Sequence, residues 1–470
     1  MPPQEQTTTV GYPEPAVDIV ESFGGPMTRL ERLFLDGTAT MMAGTIIAGI
    51  ATYAWQAGGT RTLGKTAFAP VANTWTLYFL IVTILLVPIE QFATRTIAAG
   101  RSGGTHLARA LRTIAVVLLT ASVIVAITSY LLRFSLFGGS AGYALVSCAI
   151  VLSLGQLAIC RGILVGRRNF AAYGWVTGLD STIRLLIGLP LVLLTHSPLA
   201  FVWTIPLSSL VALAWIREWP DGSRTEPGAG LEASVESEHG VPVGRFLATT
   251  VGGTSAAQLL LAGGPLLLAL LGGSESDVTV LFVTQTACRA AFLMATPVGA
   301  RCLPSLTRIA VRRDYQRLGK IALWLLGGSV VTAAAVGSAA AIVAPPLIAA
   351  LFGSGVRPTP IVAAAMASGT VLAIGNLGLN QILVAAARTD RITVAWWLAV
   401  AAAMTWVLLG PGNPLHRVSA GFVLGELVAL LALVLASNMG LKPKLKRDNS
   451  ASLSVRDFAP ARVASGADEG

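Results

Sequence analysis

The sequence predicts an all-α polytopic membrane protein, and three observations support this fold class. Twelve apolar stretches, each long enough to cross a bilayer, follow one another along the chain. Hydrophobic residues make up 54% of the chain and charged residues only 12%, whereas an average soluble domain is about 25% charged. The Lys and Arg residues are concentrated in alternate connecting loops. Because only segments that satisfy their own backbone hydrogen bonds are stable in hydrocarbon, we predict that the stretches are α-helices.

The apolar stretches define the predicted spans, which we take in chain order. They lie at 33–55, 68–89, 112–133, 141–160, 174–195, 199–216, 246–271, 278–300, 321–351, 360–386, 392–410 and 418–439. The polar first thirty residues lack the apolar core of a signal peptide, so the first span is expected to act as the insertion signal. The loops on the extracytoplasmic side are predicted to be short, and the longest of them runs from Gly58 to Ala67 between the first two spans.

The distribution of positive charge predicts the topology. One set of loops holds only Arg61, Lys65, Arg133, Arg357 and Arg417. Arg184 and Arg289 lie within spans, and every other Lys and Arg falls in the alternate loops or in the two tails. Cytoplasmic loops carry the excess of basic residues, so both termini are predicted to be cytoplasmic in a multi-pass protein of the cell inner membrane. Anionic headgroups account for the net charge of +10 without any nucleic-acid partner.

The chain is predicted to form two lobes of six helices each around a central cavity. A polar segment rich in Glu, Pro and Gly separates the sixth span from the seventh. The tetrapeptide that begins at Gly162 resembles the one at Gln381, and Pro88 and Pro297 take similar positions in the two halves, although chance similarity remains the alternative. The predicted boundaries are an N-terminal tail (1–32), an N-lobe (33–217), a linker (218–245), a C-lobe (246–440) and a disordered tail (441–470).

The sequence contains no pattern that is typical of an enzyme. The chain has four histidines and four cysteines, without metal-binding spacing, a phosphate-binding glycine loop or a Ser-His-Asp arrangement. We therefore expect no catalytic residues, no metal site and no cofactor, and any transport should be passive or ion-coupled.

The candidate functional residues are the ionisable groups inside spans, because a charge in hydrocarbon is costly and is rarely kept without a role. Arg289 is the deepest cation, and we hypothesise that it faces the cavity and binds an anionic group; a structural pair with Asp36 or Glu426 is the alternative. Asp180 and Arg184 are four residues apart and therefore share a helix face, where they form a self-neutralising pair or contribute to a cationic cavity. Glu426, Asp36 and Asp180 are candidates for H⁺ or Na⁺ coupling.

Several short motifs in order along the chain resemble Wzx-type polysaccharide flippases, which are polysaccharide biosynthesis membrane proteins of the MOP superfamily. In the first half they are LGKTAF from Leu63 and RGILVGRRNFAAY from Arg161, followed by Asp180 and Arg184. In the second half they are AGGPLLL from Ala262, then Arg289, Pro297 and the LPSL from Leu303.

This resemblance implies a MATE-like bundle that moves a polyprenyl-pyrophosphate-linked oligosaccharide across the inner membrane by alternating access. Arg184 and Arg289 would line the cavity, membrane lipids would surround the bundle, and glycosyltransferases or a polymerase of the cell envelope would be partners. Two alternatives stay open. One is an ion-coupled multidrug or metabolite exporter of the same superfamily, and the other is a non-transporting scaffold for cell-wall biosynthesis.

Overall fold

The computed structural model describes residues 37–98, 104–218, 255–312, 314–386 and 388–439, and in these ranges all regular secondary structure is helical. The described N-lobe helices, numbered in chain order, are α1 (Thr38–Ala67), α2 (Ala69–Ala98), α3 (Gly104–Leu131), α4 (Gly142–Gly166), α5 (Phe170–Thr195) and α6 (Pro198–Ser209, continued as a 3-10 helix over Leu210–Glu218). The described C-lobe helices are α7 (255–262 and Gly264–Leu270), α8 (Glu275–Val311), α9 (Tyr315–Phe352), α10 (Pro360–Ala385), α11 (Thr389–Leu409) and α12 (Pro414–Met439). The all-α fold class is thus confirmed.

Ten of the described helices are long and apolar enough to cross a membrane. The two remaining numbered helices are α1, which is rich in small polar residues, and α7, which Gly263 divides into two short described pieces. The predicted N-terminal tail, nearly all of the linker and the C-terminal tail lie outside the described residues.

The prediction of a loop from Gly58 to Ala67 is wrong. In the structure α1 continues through this segment to Ala67 and bends at Gly64. The φ of Gly64 is 75°, a left-handed conformation that glycine adopts without steric strain. The segment is polar, so hydropathy ended the predicted span early. A helix nonetheless satisfies its own backbone hydrogen bonds outside the bilayer as well as within it.

Local sequence signals set where several helices begin. Side-chain oxygens of Asn169, Ser197, Ser274, Asp314 and Thr359 accept hydrogen bonds from backbone N–H groups in the first turns of α5, α6, α8, α9 and α10. These caps satisfy donors that would otherwise lack partners at a helix start. Proline follows the cap directly in α6 and α10, at positions where its missing N–H costs nothing.

Each lobe is built mainly from contacts among its own helices. In the N-lobe α1 packs along α5, and α4 packs against α2, α3 and α6. Gly44 of α1 and Gly174 of α5 lie at the closest point of the α1–α5 crossing, where a Cβ added at Gly44 would lie 2.1 Å from the Gly174 carbonyl oxygen. In the C-lobe α10 packs against α8, α9 and α12, and α12 also packs along α11. Small residues at such crossings permit close approach of the backbones.

The lobes meet at the end of the bundle where α1 joins α2, which the charge distribution predicts to be extracytoplasmic; we call it the outer end. Phe68 of the N-lobe lies 6.1 Å from Phe282 of the C-lobe, measured between ring centroids. Arg61 donates a hydrogen bond to the carbonyl of Ala350. One continuous hydrophobic core includes residues of both lobes here. The extensive inter-lobe contacts involve α1, α2 and the short helix Arg133–Leu136 on one side and α7, α8 and α9 on the other.

Helix α2 is not uniformly α-helical. Its middle contains a π-helical turn at Val82–Leu86, which begins three residues after Phe79. Such turns insert one extra residue into a helix and occur frequently at functional sites. The irregularity therefore lies on the helix that faces the C-lobe, at the depth of the candidate site.

Candidate functional site

Helix α8 changes its environment at Arg289. From Val278 to Thr286 its side chains are buried between the lobes, and Arg289 is 7% exposed. Beyond it, in the direction of the opposite, inner end, Leu293, Met294 and Val298 are 47%, 79% and 61% exposed. Arg289 thus lies at the boundary between the buried outer part and the exposed inner part of α8.

The Arg289 guanidinium is surrounded by aromatic groups of the N-lobe. Its Cζ lies 3.8 Å above the centroid of the Phe79 ring, a distance at which cation–π attraction is favourable. Tyr53 lies nearby and donates a hydrogen bond of 2.9 Å to the backbone carbonyl of Thr286. Among the described residues Arg289 forms no salt bridge and donates no hydrogen bond. Its five N–H donors are therefore available to an anionic ligand.

Asp180 and Arg184 form the salt bridge that their spacing predicts. Arg184 Nη2 lies 2.6 Å from Asp180 Oδ2, and Ser208 of α6 donates to Asp180 Oδ1 at 2.9 Å. Arg184 Nε donates to Ser208 Oγ at 3.4 Å. Both charged side chains are almost fully buried, and the Trp75 and Tyr78 rings lie within 5.5 Å of the guanidinium. The roles of Arg184 in substrate binding and of Asp180 in ion coupling stay predictions.

Glu426 of α12 and Asn376 of α10 form a buried polar pair in the C-lobe. Both are 0% exposed. Asn376 Nδ2 donates to Glu426 Oε2 at 2.8 Å and to the Glu426 backbone carbonyl at 2.9 Å. Glu426 Oε1 and Asn376 Oδ1 have no hydrogen-bond partner among the described residues. The sequence analysis missed this pairing, because the two residues are far apart in sequence and no local spacing connects them.

The remaining predicted candidate is Asp36, which lies outside the described residues. A polar contact that the sequence analysis also missed joins Glu90 of α2 to the Tyr173 hydroxyl of α5, with Arg161 of α4 nearby. These residues connect three helices of the N-lobe near its inner end. The described residues contain no group of three His, Cys, Asp or Glu side chains that could hold a metal ion.

A cavity of about 250 Å³ lies between the lobes at the outer end. Asn73 and Ser135 line it from the N-lobe and Glu275 from the C-lobe. Arg289 does not line this cavity. The cavity is therefore separate from the candidate site around Arg289.

No protein-family model and no curated protein matches the chain. Solved structures do match. An inward-facing conformation of a multidrug resistance MATE family transporter of the MOP superfamily covers 87% of this chain and 98% of its own, at 16% identity and a TM-score of 0.62. An outward-facing conformation of a transporter of the same description covers 89% and 96%, at 15% identity and a TM-score of 0.50. A MATE structure in the bent conformation also covers 89% and 96%, at 16% identity and a TM-score of 0.50.

At these sequence identities the likeness concerns the fold. The chain has a MATE-like fold, which consists of two six-helix lobes.

Proposed function

We propose that the protein is an alternating-access membrane transporter that moves a polyprenyl-pyrophosphate-linked oligosaccharide, a precursor of cell-surface polysaccharide, across the bacterial inner membrane. The observation that carries this proposal is Arg289, a nearly buried guanidinium without an anionic partner among the described residues, at the boundary between the buried and the exposed part of α8. A guanidinium binds phosphate oxygens through two parallel hydrogen bonds and stays protonated.

The physical problem of such a transporter fits this arrangement. A sugar pyrophosphate cannot enter hydrocarbon alone, because the desolvation of its charges and hydroxyl groups is costly. Its polyprenyl chain remains stable in lipid. A cleft between two lobes lets the headgroup pass along protein while the chain stays in the bilayer. The half-buried Phe79 adds aromatic surface next to Arg289.

The test is transport of a fluorescent polyprenyl-pyrophosphate disaccharide in proteoliposomes that contain wild-type protein or Arg289→Ala. A hydrogen bond to a charged group contributes roughly 1.5–3 kcal/mol, so we expect transport at low substrate to fall about 10- to 100-fold. Arg289→Lys should retain part of the activity, because the charge stays but the two-point geometry is lost.

The matched control is Arg357→Ala, which removes the same group from an exposed position of the C-lobe. We expect it to transport like the wild type. Equal transport by Arg289→Ala and wild type at matched protein levels would exclude the substrate role of Arg289.

An ion-coupled exporter of drugs or metabolites is the second candidate, and it is favoured by the similarity in fold to multidrug resistance transporters. Such an exporter of cations needs an acidic side chain in its cavity. Asp180 is neutralised by Arg184, and Glu426 lies inside the C-lobe. Ethidium efflux from intact cells separates the two: an exporter of cations lowers cellular ethidium and loses this activity in Asp180→Asn or Asp36→Asn. A scaffold predicts that all of these substitutions are silent.

A further inference from the structure

Glu426, which is paired with Asn376, is the most deeply buried ionisable residue in the described part of the C-lobe, and the proposed substrate site does not use it. Glu426 lies at the middle of α12 and is fully buried. A carboxylate in this position without a cation bears the full cost of its desolvation. Such a group is rarely retained at the centre of a membrane helix unless it has a function.

The surroundings of the carboxyl group contain no compensating charge. Only the Asn376 amide contacts it among the described groups. The helices that pack against α12 carry these other ionisable groups, none of which contacts Glu426: Glu275, Asp277, Cys288, Arg289, Arg301, Cys302 and Arg308 on α8, Tyr315, Arg317 and Lys320 on α9, and Asp390 and Arg391 on α11. The described parts of α7 and α10 carry none, and on α12 itself His416 and Arg417 lie in the first turn. Arg391 donates instead to the Ala436 carbonyl, about 15 Å further along α12 at 1.5 Å per residue.

The hydrogen-bond geometry leaves one carboxyl oxygen open. Both N–H groups of the Asn376 amide are directed at α12, one to the Glu426 backbone carbonyl and one to Oε2. Oε1 has no hydrogen-bond partner in the described part of the chain. A protonated carboxyl group has one O–H and one carbonyl-type oxygen. The arrangement matches that form, with Oε2 as the acceptor and Oε1 as the protonated atom.

We propose that Glu426 is a proton-binding site inside the C-lobe, that its proton is carried on Oε1, and that Asn376 is its positioning residue. The bound proton comes from water and neutralises the carboxylate. A metal cation is held by several oxygen ligands, and this site offers one carboxyl group and one amide oxygen, without a second acidic residue. The proton would drive the proposed transport, and this physiological role alone rests on the proposed function.

Infrared difference spectroscopy of the purified full-length protein tests proton binding without any substrate. We expect a carbonyl band of a protonated carboxylic acid at neutral pH in the wild type, which disappears in Glu426→Gln. The matched control is Glu275→Gln, because Glu275 is exposed at the start of α8; it should leave the band unchanged. A spectrum without this band, or a band that survives in Glu426→Gln, overturns the proposal.

Two further measurements test the details. Asn376→Ala removes the hydrogen bond to Oε2, so the band should move to higher wavenumber while its intensity remains; an unmoved band refutes the positioning role. Replacement of choline chloride by sodium chloride should leave the band unchanged, whereas loss of the band in sodium would assign the site to Na⁺. If Glu426→Gln does not fold, Glu426→Asp provides the same readout through a shifted band. A band without any transport of the lipid-linked disaccharide would refute the proposed function and leave the proton site intact.

Discussion

The buried salt bridge between Asp180 and Arg184 matters to stability as a pair, because either charge alone would lack a partner. Each charge is almost fully buried, and the Ser208 hydroxyl completes the hydrogen bonding of the pair. Replacement of a buried ion pair by apolar residues is often neutral, whereas removal of one partner leaves an uncompensated charge at a cost of about 3–5 kcal/mol.

We therefore predict that Asp180→Ala lowers the thermal unfolding temperature of the detergent-solubilised protein strongly. The double variant Asp180→Ala with Arg184→Met should recover most of the loss, because no charge is left behind. Fluorescence-detected thermal unfolding measures both. A double variant that is less stable than Asp180→Ala would contradict this account.

The cation–π contact between Arg289 and Phe79 can be separated from substrate binding. At 3.8 Å from the ring centroid in a partly desolvated position, the contact is expected to contribute about 1–2 kcal/mol to the closed outer interface. Phe79→Leu keeps the apolar volume and removes the ring. We predict a lower unfolding temperature for Phe79→Leu in the wild-type background and no further effect in the Arg289→Ala background, as measured in a double-mutant cycle. Additive losses would show that the ring acts independently of the guanidinium.

Sequence information predicts residue pairs well only where the partners are close in sequence. The separation of four residues between Asp180 and Arg184 places them on one helix face, and the structure forms that pair. Asn376 and Glu426 meet because α10 packs along α12, and Phe79 reaches Arg289 because the two lobes are docked. Neither contact leaves a trace in local spacing. The ionisable residues were thus predictable as candidates, but their partners were not.

At the scale of elements, hydropathy predicted the existence and order of the helices and failed at some of their ends. The predicted eighth span, 278–300, is part of the longer α8, and the ninth span, 321–351, lies within α9. Helices continue beyond the apolar part because backbone hydrogen bonding does not depend on hydropathy. The largest difference is α1, whose polar second half was predicted to be a loop. That half contributes Arg61 to the inter-lobe contact.

The crossing of α1 and α5 depends on glycine at one position of α1. A Cβ at Gly44 would lie 2.1 Å from the Gly174 carbonyl oxygen, and the backbone of α5 cannot move away without losing the packing of the whole helix pair. We predict that Gly44→Ala destabilises the protein by at least about 1–3 kcal/mol, the usual cost of overpacking. Gly49→Ala on the same helix is the matched control, because no atom lies within 4 Å of its added Cβ. Thermal unfolding should separate the two variants, and equal stability would contradict the packing argument.

At the scale of the whole molecule, the closed outer end and the exposed inner part of α8 define one state of an alternating-access cycle under the proposed function. Transport then requires Phe68 and Phe282 to separate. We predict that Phe68→Cys with Phe282→Cys, in a background where the four native cysteines are replaced by alanine, loses transport when a bifunctional methanethiosulfonate reagent cross-links the two thiols and regains it on reduction.

The control for this cross-link is a pair within one lobe. The rings of Phe137 and Tyr143 stack at 4.8 Å inside the N-lobe, so the same reagent bound to cysteines at these positions should leave transport unchanged. Transport assays before and after cross-linking measure both pairs. Undiminished transport by a fully cross-linked Phe68–Phe282 variant would exclude separation of the lobes at the outer end.

Within the described ranges, the two hydrogen bonds that join the lobes end on main-chain oxygens: Tyr53 donates to the carbonyl of Thr286, and Arg61 donates to the carbonyl of Ala350. A main-chain acceptor persists whatever side chain it carries, so only the donor residue of each bond is under selection for that bond. Homologues could therefore vary at positions 286 and 350 without any compensating change at 53 or 61. Methods that infer contacts from correlated substitutions would not detect these two hydrogen bonds, even in a very deep collection of related sequences.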